Sequence, residues 1–192
     1  REQAQALLDA PDCSTLKGVR DRAILAVLLG AGLRRAEAVR LSFGHVQQRD
    51  GRWVLVDILG KRNKTRSVPL PSWAKAAVDA WAEVAGIHSG RIFRAVTKAG
   101  RVVGEGLTPQ AIFDVVATYA GGDVAPHDLR RTFAKLAHRG GAGLGQIQLS
   151  LGHASIQTTE RYLGLEQDLT DAPCDRLGLR LDYHQRALPG MG

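Results

Sequence analysis

The 192-residue sequence is poor in several features that would point to familiar protein classes. It holds two cysteines, Cys13 and Cys174, far apart in the chain. Two distant thiols build neither a disulfide framework nor a zinc site, and a reducing compartment is the simpler reading. No apolar run approaches the roughly 20 residues of a membrane span, so a soluble protein without a membrane partner is expected. No charged-then-apolar leader opens the chain, and nothing argues for secretion. The first residue is Arg1 rather than Met, as expected of a fragment or a processed chain. His127 and His153 lack metal-site spacing, and no Asp/Glu cluster suggests a two-metal nuclease, so no metal is expected. Internal repeats and low-complexity segments are absent as well.

What remains is an ordinary core and a surplus of positive charge. Hydrophobic residues make up 44% of the chain, enough for about one domain with a sizeable core. Lys and Arg number 26 against 19 Asp and Glu, a net charge of +7 and an isoelectric point near 9.9. Such a surplus favours a polyanionic partner, because each neutralised phosphate releases counterions.

Periodicity and punctuation predict a mainly helical α+β chain with a small antiparallel sheet. Residues 2–10 read as a short helix, and Asp21 opens a longer one with an apolar face of Ile24, Val27 and Leu28, ended by Gly30 and Gly32. A third helix covers about 34–41. The segment 52–58 switches to strand-forming residues, GKRNK makes a polar turn, and TRSVPL supplies a second strand: a hairpin with a basic tip. Pro71 starts a helix whose stripe is Ala74, Ala77, Val78 and Trp81. Residues 86–107 read as loop around one short strand at Arg91–Phe93. Thr108-Pro109 opens the next helix, with Ile112, Val115, Val116 and Tyr119 at helical spacing. After GGDVAP, three close-set helices are expected at about 127–139, 143–151 and 155–163. The boundaries drawn from this are a domain over 1–165 and a tail over 166–192.

Four segments carry chemistry. On the 127–139 helix, His127, Arg130 and Arg131 project to one side while Leu129, Phe133 and Leu136 project to the other. A solvated basic face explains that pattern, and so does a phosphate cradle, because Arg offers planar bidentate donors and stays charged. In GLRRAE, Arg34 and Glu37 stand one turn apart, either a surface pair or part of a site. The hairpin cations Lys61, Arg62, Lys64 and Arg66 make a soluble turn or a finger reaching into a DNA groove. In LGHASIQTTERYLG, Gly152 stops one helix, Ser155 caps the next, and Tyr162 lies near its end; a lone Tyr there is ordinarily a packing residue.

Taken in order, these segments resemble the tyrosine recombinase family of phage integrases, Xer-type resolvases and Cre-like enzymes. GLRRAE is similar to its first arginine box, GKRNKTRSVPL to its hairpin lysine box and HDLRRTFA to its His-x-x-Arg box. LGHASIQTTERY is similar to the closing box, in which a His precedes the nucleophilic Tyr by nine positions, as His153 and Tyr162 do. The resemblance covers about residues 2–165 and implies that family's catalytic-domain fold.

The resemblance also implies roles. Arg34 and Arg130 would grip the non-bridging oxygens of a scissile DNA phosphate and stabilise the charge of its transition state. His127 would contact the same phosphate and assist proton transfer, and His153 would donate a further hydrogen bond. Lys61, or its neighbour Lys64, would protonate the departing 5′ oxygen. Glu37 would orient the cations, while Arg62, Lys64, Arg66 and Arg131 would bind DNA. Tyr162 would attack and form a 3′-phosphotyrosyl link. A phenol with pKa near 10 needs such a cationic field to act as a nucleophile. The bond conserves the energy of the broken phosphodiester, so no cofactor is implied, and no P-loop is present.

Partners implied are double-stranded DNA and further copies of the protein, as a tetramer on paired sites, in the cytoplasm of a prokaryotic cell or of a phage or mobile-element host. Relatives carry an N-terminal core-binding domain that is not expected within these residues, so weak DNA binding and poor turnover are expected of them alone. Leu163, Leu165, Leu169 and Leu177 suit docking on a neighbouring subunit, or folding back on their own domain. Two other readings compete: a DNA-binding protein without catalysis, and a type IB topoisomerase. The first leaves the joint presence of the lysine hairpin, two arginine boxes and late tyrosine unexplained. The compact length and the closing box favour the recombinase over the second.

Overall fold

A computed structural model describes residues 1–60, 64–122, 124–152 and 172–181. Its helices are α1 (Glu2–Asp9), α2 (Leu16–Ala31), α3 (Arg35–Arg40), α4 (Ser72–Ala85), α5 (Pro109–Ala120), α6 (Pro126–Arg139) and α7 (Leu144–Leu151). Strands β1 (Val46–Arg49), β2 (Arg52–Leu59) and β3 (Thr65–Pro69) form one antiparallel sheet in that order. A second antiparallel pair joins β4 (Ala95–Val96) to β5 (Val102–Val103). Among the described residues no helix is long and apolar enough to cross a membrane.

The axis of the fold is α2, which is buried on every side rather than along one stripe. Its run from Ala23 to Leu29 is inaccessible to solvent. A helix apolar all round must be wrapped by others, and α1, α4, α5 and α6 do so, with α4 the main neighbour. Gly30 is what lets α4 approach: a Cβ there would stand 3.0 Å from both Pro71 and the Trp73 ring. Expected as a stop, Gly30 is therefore a contact point inside the helix, and Gly32 alone ends it, with φ of 59° at the C-cap. The helix also starts earlier than Asp21, because the Thr15 hydroxyl accepts the Gly18 N–H at 3.0 Å and caps Leu16 onward. Each large side chain fully buried here, such as Leu28 or Phe133, contributes about 1.5–3 kcal/mol.

Strand β1 and the β4–β5 pair were not anticipated. Both are short, and Gln47 and Gln48 lie on an exposed strand, so no alternation marks it. The strand expected at Arg91–Phe93 is reduced to a bridge between Arg91 and Ser42, with the Ile92 N–H on the Leu41 carbonyl.

Residues 172–181 pack against the rest of the described chain. Ala172, Cys174, Leu177, Leu179 and Leu181 all sit in the main core. The segment Pro173–Arg176 packs on α6, Arg52 pairs with Asp175 at 2.5 Å, and the Arg180 N–H reaches Gln5 of α1 at 2.8 Å. Leu177 is buried within this chain, while Leu163, Leu165 and Leu169 lie outside the described residues.

Candidate active site

The site begins at the junction of α2 and α3. Gly32 turns the chain in the left-handed conformation, so that Arg34 immediately precedes α3 and Glu37 occupies its third position. A glutamate there can reach back to the cap residue, and Glu37 Oε2 accepts the Arg34 backbone N–H at 2.8 Å. Its Oε1 accepts Arg34 Nη1 at 2.7 Å. From β3, Arg66 adds a two-pronged bond, Nη1 to Oε1 at 2.8 Å and Nη2 to Oε2 at 2.9 Å. Four donors therefore converge on one carboxylate that is 3% exposed. Burial pushes the Glu37 carboxyl up, but the Arg66 fork and the two Arg34 donors outweigh it and hold the group down at about 2.

The second arginine comes from α6. Asp128 caps that helix by accepting the Ala125 N–H at 3.0 Å, and Arg130 lies one turn in. Expected on an outward cationic face, Arg130 is instead 3% exposed. The reason is that two helix ends claim it. Its Nη1 donates to the Gly32 carbonyl at 2.5 Å, at the end of α2, and its Nη2 donates to the Leu151 carbonyl at the end of α7. Carbonyls at helix C-termini carry the negative end of the helix dipole and favour a cation there. Burial nonetheless lowers the Arg130 guanidinium to about 9, with the charges of Arg34 and Arg66 adding to the effect and Glu37 opposing it.

Arg34, His127 and Arg130 line one cleft of about 430 Å³, together with Arg35, Ala36, Phe113, Ala125 and Pro126. His127, on the first turn of α6, is exposed at its mouth. The three guanidinium groups of Arg34, Arg66 and Arg130, set against the one carboxylate of Glu37, leave two positive charges in surplus. The cleft wall itself carries Arg34, Arg35 and Arg130, and fixed donors of that charge suit a singly charged phosphodiester and suit its doubly charged transition state better.

Other predicted residues fall in three groups. Arg131, next to Arg130, points to solvent with its side chain 66% exposed and stands 3.5 Å from Asp128. Lys64 is exposed at the foot of β3. Arg66, expected at the cationic hairpin tip, is turned inward, its side chain 10% exposed. The signal for that was strand alternation, which puts Arg66 on the same face as the buried Val68. Lys61, Arg62, His153 and Tyr162 lie outside the described residues. Their described neighbours do bear on the cleft. A side chain at Gly60 would lie 3.7 Å from Arg34 Nη1, and Gly152 follows the Leu151 carbonyl that Arg130 holds.

Compared with known proteins, residues 1–168 match the phage integrase family. Tyrosine recombinase XerC of Myxococcus xanthus is 36% identical over 169 residues, covering 84% of this chain and 55% of that protein. Tyrosine recombinase XerD of Neisseria meningitidis serogroup B is 35% identical over 171 residues, covering 84% and 56%. The chain thus spans about half the length of the curated relatives it matches. Among solved structures, XerA recombinase superposes with a TM-score of 0.62 at 24% identity, covering 88% of this chain and 61% of that one. An integrase from mycobacterium phage Brujita gives 0.65 at 19% identity, covering 95% and 59%. The fold is that of a tyrosine recombinase or integrase catalytic domain.

Proposed function

Because the chain belongs to the phage integrase family of tyrosine recombinases, we propose that it is the catalytic domain of a site-specific DNA recombinase that breaks and rejoins strands through Tyr162. The observation that carries this reading is the single cleft where Arg34 and Arg130, far apart in sequence, meet beside His127. Arg34 and Arg130 hold the two non-bridging oxygens of the scissile phosphate. The phenol oxygen of Tyr162 attacks phosphorus and gives up its proton with the help of His127. The bond from phosphorus to the 5′ oxygen breaks, and Lys61 supplies the proton that makes a free 5′-hydroxyl. His153 donates to the phosphate as charge builds. In the reverse direction an incoming 5′-hydroxyl attacks the 3′-phosphotyrosine, and the phenol leaves with its proton restored. Bond energy is conserved throughout, which suits a chemistry of exchange between strands.

Double-stranded DNA is the partner on this reading, with copies of the protein assembled as a tetramer on paired sites in the cytoplasm of a prokaryotic cell or a phage or mobile-element host. Arg62, Lys64 and Arg131 supply flanking backbone contacts, which position the duplex without reading sequence. The test uses the full protein that the gene encodes and a nicked suicide duplex, selected from a randomised library by covalent capture. A protein–DNA band resistant to denaturation is expected, and Tyr162→Phe abolishes it while DNA affinity is retained. A band that survives Tyr162→Phe overturns the assignment.

A further inference from the structure

Arg66 takes part in more of this site than its position on a strand would suggest. Its Nε donates to the Ser150 carbonyl at 2.8 Å, while both terminal nitrogens are spent on Glu37. Its stem lies against Gly152, where an added Cβ would come within 2.8 Å of Arg66 Cδ. The side chain does not line the cleft, so it is not placed to touch a phosphate there.

One guanidinium therefore ties three separate stretches of chain. It belongs to the strand that follows the lysine hairpin. It orients the carboxylate that holds Arg34 by both side chain and backbone. With Arg130 on the next carbonyl, it grips the last turn of α7, from which the chain runs on to His153 and Tyr162. Stability alone is a weak reason for such a pair, because a buried Arg–carboxylate bridge roughly breaks even against apolar side chains of similar size. What an apolar substitute cannot supply is direction: a planar fork fixes Glu37 and a carbonyl at set angles to each other.

We propose that Arg66 is a positioning residue that locks the hairpin strand, the Arg34–Glu37 pair and the end of α7 into one arrangement, so that strand cleavage depends on it while DNA binding does not. The inference rests on the recombinase reading. Small misplacements of reacting groups cost about a hundredfold in rate, and affinity for a long duplex is spread over many contacts that Arg66 does not make.

The experiment compares Arg66→Lys and Arg66→Leu with the wild-type full protein on the same suicide duplex, measuring affinity and single-turnover covalent complex formation against pH. Arg66→Leu is expected to bind DNA within about twofold of wild type and to cleave about a hundredfold more slowly. Without the fork, Glu37 gains a proton at higher pH, so the variant's loss of rate on acidification is expected to begin at higher pH than the wild type's. Arg66→Lys keeps charge and stem but not the fork, and is expected to lose about tenfold in rate at unchanged affinity. If Arg66→Leu does not fold, as judged by circular dichroism, Arg66→Lys decides the matter alone. Wild-type cleavage rates in the folded variants, or affinity falling in proportion to rate, overturn the proposal. An unchanged pH profile in Arg66→Leu overturns it too. A wild type that forms no covalent complex on any captured duplex instead removes the recombinase reading beneath it.

Discussion

Arg130 and Arg131 are adjacent on one helix and live in opposite environments. Arg130 is 3% exposed, bonded to carbonyls at two helix ends, and faces a cleft shared with Arg34. Arg131 has a side chain 66% exposed and a loose approach to Asp128 at 3.5 Å. The difference lies in what each cation has already lost. Arg130 has given up its water and its rotamer freedom on folding, so its field acts at close range from a fixed place on the cleft wall. Arg131 keeps both, and its charge is screened within about 10 Å at ordinary salt. One is equipped to act on a developing charge, the other to lengthen the stay of a polyanion.

The sharpest way to break that contrast is Arg130→Ala. Removing one preorganised donor from such a pocket is expected to slow covalent complex formation about a thousandfold. It also leaves the Gly32 and Leu151 carbonyls without their partner, which costs roughly 1–3 kcal/mol of stability by urea unfolding. The activity loss should exceed what the fall in stability explains at a temperature where the variant remains folded.

Next in size is Glu37, whose carboxyl is held at about 2 against a usual 4.5. A depressed carboxylate stabilises the fold fully above its unfolded value, and that contribution is lost as pH falls from about 4.5 to about 2. At about 1.4 kcal/mol per pH unit the window is worth about 3 kcal/mol. Urea midpoints measured across it should decline in the wild type and decline much less in Glu37→Gln. At neutral pH Glu37→Gln should be less stable by about 3 kcal/mol, because Arg66 and Arg34 then face each other with no anion between them.

A smaller loss is expected from Gly152→Ala. The left-handed φ of 62° and the contact with Arg66 Cδ together cost about 1–2 kcal/mol by urea unfolding. The smallest effect belongs to Arg131→Ala, with stability unchanged within about 0.5 kcal/mol. Its cleavage rate should be retained, while the slope of log affinity against log salt falls by about one.

The sequence made α4 and α5 legible because they open on a Pro or a Thr-Pro, and α4, α5 and α6 each carry an apolar stripe. It made the arginines legible as candidates because their boxes stand in family order. It did not reveal that Arg130 is buried, since helical periodicity put it on the polar face and nothing local announces that two helix ends will meet around it. Arg66 was misplaced for a related reason: four cations in six residues read as one exposed tip, although Arg66 lies inside β3 on the same face as the buried Val68. The start of α2 was missed because Thr15 caps a turn rich in Gly, Lys and Arg rather than in apolar residues. Leu177 and its neighbours show no period because they fill a core built by other elements.

The most direct test replaces the scissile phosphate of the suicide duplex with a methylphosphonate, which removes one negative oxygen while leaving phosphorus open to attack by Tyr162. If Arg130 acts by neutralising that oxygen, Arg130→Ala should lose at least about tenfold less activity on the neutral substrate than on the natural one. An equal loss on both would mean that the buried arginine merely supports the fold, and the cleft would no longer stand as the seat of the chemistry.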